Sequence, residues 1–103
     1  MKIATHQNLV GPIITALRRK RGWTQADLAV HLQLAGWNIS RSSIAKMEAQ
    51  LVHVGDRELC YLRQVFRVDV KELFPRLDPH KSIREEIAGL LKKEEATELV
   101  IVR

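Results

Sequence analysis

Signals that begin and end helices follow one another at short intervals in this chain. Pro12 suits the first position of a helix, where its missing N–H is not needed, and Gly22 suits a left-handed helix end. Thr24 and Ser40 are residue types that cap helix N-termini, and Gly36 is placed to end the helix between them. Helices confined between such signals are short, so the sequence predicts an all-α fold.

Apolar residues recur at helical spacing between these signals. We expect five helices. The first three cover residues 12–21, 25–35 and 41–50, and the fifth covers 71–74. The fourth is capped by Asp56 and buries an apolar stripe of Leu59, Leu62, Val65 and Phe66. Ile44, Met47 and Leu51 form the apolar stripe of the third helix. The sequence shows no internal repeat, so these elements predict one five-helix domain over residues 10–75.

A second pattern follows this domain. Residues 76–81 read as a linker, and residues 82–103 as a C-terminal appendage. Ser82 and Glu85 have capping-box spacing ahead of an apolar stripe, which predicts a C-terminal helix. The apolar run 99–102 has strand character, yet the rest of the chain offers no strand to pair with it.

The positive charge is concentrated in one half of the chain. Lys and Arg number 17 and Asp and Glu 12, a net charge of +5. Residues 1–54 hold seven of the basic residues and only two acids, so the whole excess lies there. A local basic excess is what a surface for a polyanion requires. On charge alone, a solvated face of a soluble protein is an equally good interpretation.

Several classes of function find little support in the sequence. The only cysteine, Cys60, excludes an intrachain disulfide and a cysteine-rich metal site. The four histidines lack the spacing of metal ligands, and neither a Gly-x-Ser-x-Gly elbow nor a glycine-rich phosphate loop occurs. We therefore expect no enzyme, metal or cofactor. The longest apolar run is four residues and no signal-peptide pattern begins the sequence, so we expect a soluble, cytoplasmic protein without a membrane partner.

Four segments together resemble the lambda-repressor-like (XRE, or Cro-type) helix-turn-helix family. They are TQADLA at 24–29, SRSSIAKME at 40–48, LRRKRGW at 17–23 and VKELF at 70–74. The resemblance covers residues 10–74 and implies a five-helix domain. It also implies that the third helix binds the major groove of DNA.

The outer face of that third helix is the candidate for reading bases. Small and polar side chains on a helix allow it to enter the major groove, where arginine or lysine pairs well with guanine O6 and N7. The resemblance assigns base contacts to Arg41, Ser42, Ala45 and Lys46. The alternative is a solvated helix face.

Phosphate contacts are expected at helix N-termini, where backbone N–H groups and the positive dipole end favour an anion. By the resemblance, Gln25 anchors a phosphate at the start of the second helix. Ser40, Thr24 and Arg19 are the other candidates, although Ser40 has the purely local alternative of capping its helix. Arg19, Lys20 and Arg21 are together more typical of a diffuse positive field, and each taken singly is more typical of a solvated charge.

Two positions are assigned to structure. The family often pairs an arginine of the first helix with a glutamate at the end of the third, and Arg18 and Glu48 occupy those positions. Trp23 and Trp37 are interpreted as packing residues, not as platforms for stacking bases.

The chain departs from the family at the turn. Seven residues, 33–39, separate Leu32 from Ser40, about five more than the family usually has. Either the second helix gains a turn or the connection bulges, with Trp37 packed beneath it. The angle of the third helix, and with it the base contacts, could change as a result.

These observations predict a sequence-specific, repressor-like transcriptional regulator that binds double-stranded DNA. The alternative is an antitoxin or regulatory adaptor that binds a partner protein through residues 82–103. Of the roles open to that tail, we favour a homodimer interface, which would match a palindromic operator, over binding of a partner protein or docking onto the core of its own chain.

Overall fold

The computed structural model describes residues 6–76, 80–82, 84–85 and 87–89. Residues 6–75 form one compact unit. Its elements are α1 (Gly11–Lys20), α2 (Gln25–Ala35), α3 (Arg41–Glu48), α4 (Asp56–Phe66) and a 3-10 helix (Val70–Leu73). The part of the chain that the structure describes contains helices and no strand, which confirms the all-α prediction. The fifth element is a single 3-10 turn and not the α-helix expected over 71–74.

The predicted helix signals at α2 and α3 are confirmed. At the start of α2, Thr24 Oγ1 accepts from Asp27 N at 3.0 Å and Asp27 Oδ2 accepts from Thr24 N at 2.8 Å. These hydrogen bonds, above all the one from the Thr24 backbone, hold the pKa of Asp27 below its usual range. Gly36 ends α2 with φ +113°, and Ser40 Oγ caps α3 by accepting from Ser43 N at 3.2 Å.

Helix α3 is shorter than predicted. It ends at Glu48, because Gln50 adopts a left-handed conformation with φ 63° that no continuing helix can accommodate. The chain turns before Leu51 can reach the core, and this side chain is 62% exposed. The apolar stripe predicted for α3 is therefore wrong at Leu51 and holds at Ile44 and Met47, which are both buried.

Other helix ends also differ from the sequence prediction. Helix α1 begins at Gly11 and ends at Lys20, one residue earlier at each end. The N-cap of α4 is Gly55 and not Asp56, which is the first helical residue. Here Glu58 Oε1 accepts from Gly55 N at 2.6 Å, so a side chain inside the helix supplies the cap.

The core is formed by one apolar face from each helix. Its buried side chains come from every element of the unit: Val10, Ile14, Leu28, Ala29, Leu32, Ile39, Ile44, Met47, Leu62, Phe66 and Leu73. The start of α1 packs so closely on the end of α3 that a Cβ at Gly11 would lie 2.7 Å from the carbonyl oxygens of Met47 and Glu48. Only glycine fits there, and this contact sets the position of α3 against α1.

The extra residues of the long connection before α3 are accommodated mainly by a longer α2. The helix continues to Ala35, three residues beyond Leu32, before Gly36 ends it. Gln33 Nε2 then donates to the Ile39 carbonyl at 2.7 Å and closes the remaining turn. Trp37 packs half-buried against the core as predicted, with its ring 5.9 Å from that of Tyr61.

The residues that follow the five-helix unit are described only in part. The capping box predicted at Ser82 and Glu85 is confirmed, since Ser82 N donates to Glu85 Oε1 at 3.0 Å and Glu85 N donates to Ser82 Oγ at 3.2 Å. The strand predicted over 99–102 lies outside the described residues, as do residues 77–79 of the predicted linker.

Candidate nucleic-acid interface

Helix α3 presents two different faces. Ile44 and Met47 are buried in the core and fix one of them. Arg41, Ser42 and Lys46 are exposed, and Ala45, the fourth predicted base contact, is half-buried beside them. The exposed face thus combines two cations with small side chains, which leaves the helix backbone accessible to another molecule.

An ion pair holds the end of α3 against α1. Arg18 Nε donates to Glu48 Oε2 at 2.7 Å and Arg18 Nη2 donates to Glu48 Oε1 at 3.1 Å. The third guanidinium nitrogen, Nη1, donates to the Trp23 carbonyl at 2.8 Å. The Arg18 side chain is 10% exposed and that of Glu48 6%, so the pair predicted from the sequence forms in a nearly water-free position.

The charge of Glu48 is stabilised by its neighbours. Burial alone would raise the pKa of this carboxyl group. The hydrogen bonds from Arg18 and Gln25, with the positive charge of Arg18, outweigh that effect and hold the pKa of Glu48 below its usual range. The only acid of α3 is therefore ionised, paired and turned away from the exposed face.

Gln25, the predicted phosphate anchor, belongs to the same network. Its Nε2 donates to Glu48 Oε1 at 3.0 Å, and its Oε1 accepts from Arg41 Nη1 at 3.5 Å. The amide thereby links the start of α2 to both ends of α3. It also places a predicted phosphate contact and a predicted base contact side by side.

The other predicted phosphate contacts lie at three different positions. Thr24 is exposed and caps α2, and Arg19 is exposed on α1. Ser40 is exposed and caps α3, and its Oγ lies 3.1 Å from the hydroxyls of both Ser42 and Ser43. Capping is thus present at Thr24 and Ser40, as the local alternative predicted, while both residues remain on the surface.

One contact was not predicted from the sequence. Arg21 donates through Nη2 to the carbonyl of Phe66 at the end of α4. Its guanidinium lies 5.2 Å from the centre of the Phe66 ring and 5.7 Å from that of Trp23. The Trp23 ring stacks on His31 at 4.0 Å, which agrees with a packing role. The sequence pattern predicts only a diffuse positive field for Arg21, because its partner Phe66 lies 45 positions away.

Other kinds of site were sought in the same residues. Over the described ranges, no group of three or more His, Cys, Asp or Glu side chains is arranged to hold a metal ion. Nor does any helix described there have the length and apolar character needed to cross a membrane. Comparisons with known protein families, with curated proteins and with solved structures found no match.

Proposed function

We propose that this protein binds double-stranded DNA sequence-specifically through α3 and regulates transcription, as a repressor-like protein would. The observation that carries the proposal is the construction of α3. One face is locked into the core by Ile44 and Met47, and the other presents Arg41, Ser42 and Lys46 to the surface. An anchored helix with small and cationic outward side chains is suited to the major groove.

The dimensions and charge of α3 support this proposal. With its side chains an α-helix is about 10–12 Å across, so α3 can enter the major groove, which is about 12 Å wide. Pairing with Arg18 neutralises the only acid of the helix, Glu48. The excess of basic residues within 1–54 adds a field that attracts a polyanion.

The start of α2 supports a phosphate contact beside α3. Thr24 Oγ1 accepts from Asp27 N, so the N–H groups of the two preceding residues are left at the positive end of the α2 dipole. Gln25 extends from that end and contacts Arg41. A phosphate at this position would fix the register of the duplex, while α3 reads the base edges.

The decisive experiment is selection of bound duplexes from a random DNA pool, followed by sequencing. We expect an enriched motif with two inverted half-sites. Binding to that motif should weaken steeply with salt, with a slope of about 0.9 log units per decade of salt for each phosphate contacted. A pool that stays unenriched, together with no binding to any duplex in dilute buffer, would refute the proposal.

Matched variants separate base contacts from general charge. Arg41→Ala and Lys46→Ala should each cost about 1–3 kcal/mol at particular base pairs and relax the preference there. Arg63→Ala and Lys71→Ala remove the same charges from exposed positions outside α3 and should leave the motif unchanged. If all four variants weaken binding alike and none changes the preferred bases, α3 is not the recognition element.

The phosphate role of Gln25 has its own test. Gln25→Ala should weaken binding to all sequences about equally, because a phosphate contact carries no base information. A change in the preferred bases, with affinity for unrelated duplexes unaltered, would contradict the phosphate assignment.

We also propose that the protein binds its operator as a homodimer joined through residues 82–103. Two-fold symmetry of the protein would match the inverted half-sites. Analytical ultracentrifugation should show a dimer for the full chain and a monomer for a chain truncated after Asp78. The alternative of an antitoxin or adaptor depends on the same tail, most of which lies outside the described residues, and it stays a prediction.

A further inference from the structure

A cavity of about 340 Å³ lies beside α3, between the connection that precedes the helix and the segment that follows it. The buried side chains of Ile39 and Met47 line it, together with half-buried Trp37 and Val54. Exposed Asn38 and Lys46 add polar groups to this lining. Polar and apolar groups contribute about equally to this lining. Apolar walls combined with convergent polar groups, at this volume, are the usual construction of a small-molecule site.

The charges of this cavity favour one class of ligand. Lys46 is the only lysine or arginine among the lining residues, and Glu58 is their only carboxylate. Glu58 Oε1 is held by Gly55 N at 2.6 Å, whereas the Lys46 ammonium has no hydrogen-bond partner within the described residues. The hydrogen bond from the neutral Gly55 N–H leaves the charge of Glu58 in place, so the lining carries one charge of each sign. The Lys46 ammonium can pair with a single carboxylate, while Glu58 disfavours a second negative charge on the ligand.

The apolar part of the lining, formed by Trp37, Ile39, Met47, Val52 and Val54, favours an aromatic body for that ligand. Aromatic rings prefer offset-stacked or edge-to-face contacts with an indole such as that of Trp37. The Met47 thioether makes favourable contacts with ring edges. We propose that this cavity binds a small aromatic carboxylate, with the ring between Trp37 and Met47 and the carboxylate on Lys46.

Such a ligand would act on DNA binding, a consequence that rests on the function proposed above. Lys46 is one of the proposed base contacts, and its single ammonium group cannot serve a carboxylate and a base edge fully at once. Occupancy of the cavity therefore withdraws one recognition group from α3 and lowers the affinity for the operator. This mechanism would make the aromatic carboxylate an inducer.

Binding can be tested without DNA. The chain has two tryptophans, so ¹⁵N–¹H NMR of the full chain gives two indole N–H signals, one from the cavity and one from Trp23 outside it. We expect 2-naphthoate to shift the Trp37 signal saturably while the Trp23 signal stays in place. The uncharged 2-naphthamide should bind about two- to fivefold more weakly, the range for a solvent-accessible ion pair. An unmoved Trp37 signal, or equal affinity for acid and amide, would overturn the proposal.

Two variants test the location and the charge. Val52 lines the cavity and is 36% exposed, so Val52→Phe should fill part of the space, abolish the Trp37 shift and leave the circular dichroism spectrum and melting temperature nearly unchanged. Lys46→Gln should remove the preference for the acid over the amide. Lys20→Gln, an exposed change in α1, should retain it. Undiminished binding by a folded Val52→Phe protein would refute the assignment.

The DNA arm separates this proposal from the function on which it rests. With a duplex selected from the random pool, 2-naphthoate should lower the affinity of the parent protein and have no effect on that of Val52→Phe. Binding of naphthoate at Trp37 by a chain that binds no duplex would support the cavity and refute the DNA function. If saturating 2-naphthoate leaves the affinity for the duplex unchanged, the inducer mechanism is overturned.

Discussion

Replacing Glu48 by glutamine tests the contact that joins α1, α2 and α3. The substitution keeps the shape of the side chain and removes its charge, so Arg18 is left as a buried cation without a counter-ion. Both side chains are nearly inaccessible, at 10% and 6% exposure, so water cannot take over the lost interaction. We expect the free energy of unfolding to fall substantially.

The size of the loss follows from the partners that remain. Removing one member of a buried ion pair costs about 3–5 kcal/mol. Here Arg18 keeps its hydrogen bond to the Trp23 carbonyl, and the new amide oxygen can still accept from the guanidinium. Because both contacts remain, we expect Glu48→Gln to lower the free energy of unfolding by about 3 kcal/mol, the lower end of that range. For a domain of this size that corresponds to a decrease in melting temperature of roughly 12–24 °C.

Urea and thermal unfolding followed by circular dichroism at 222 nm measure this loss. Asp56→Asn is the matched control, since it removes the same charge from an exposed position in the first turn of α4 and should cost less than about 1 kcal/mol. Arg18→Met combined with Glu48→Gln should cost less than the sum of the two single changes, because no charge is then stranded. A single-variant loss within about 0.5 kcal/mol of the control, or strict additivity, would refute the reasoning.

Three further predictions concern the same unit. Because the pKa of Glu48 is lower in the folded protein, its ionised carboxylate stabilises the fold at pH values above the ordinary glutamate pKa, and this contribution is lost as the pH falls through the pKa of the folded state. Urea titrations should therefore show a difference in the free energy of unfolding between the parent and Glu48→Gln that is constant near neutral pH and shrinks below about pH 4. A gap that widened on acidification would contradict the sign. Gly11→Ala should cost about 1–3 kcal/mol in thermal unfolding, because its Cβ would lie 2.7 Å from two carbonyl oxygens, whereas Gly89→Ala, with nothing within 4 Å, should cost nothing. Equal effects at the two glycines would show that the close approach is not rigid. Thr24→Ala should cost about 1 kcal/mol and Thr24→Ser much less, since only the hydroxyl caps α2; indistinguishable urea midpoints for these two variants would exclude that role.

The features that could be predicted from the sequence are those determined locally. A cap involves residues within three or four positions of each other, so Thr24 and Ser40 identify helix starts without knowledge of the fold. Gly36 marks a helix end for the same reason, because its conformation is intrinsic to glycine. The pairing of Arg18 with Glu48 is the exception, since the family resemblance supplied a contact across 30 positions.

The features that were missed depend on distant parts of the chain. Gln50 takes a left-handed conformation while its side chain donates to the Asn8 carbonyl at 2.9 Å, a contact over 42 positions that helical periodicity does not contain. The stripe through Leu51 failed for this reason. Likewise, the role of Arg21 at the end of α4 and the cavity beside α3 exist only once the helices have packed.

The orientation of α3 depends on its anchors more than on the connection that leads to it. A helix of eight residues is too short to be stable alone, so tertiary contacts must hold it in place. Those contacts are with α1, through Gly11 and Arg18, and with α2, through Gln25. The extended connection, by contrast, is taken up by the longer α2 and by the packing of Trp37. None of the contacts that hold α3 against α1 involves residues 33–39 of the connection. A longer connection is therefore compatible with the arrangement of helices on which the proposed base contacts depend.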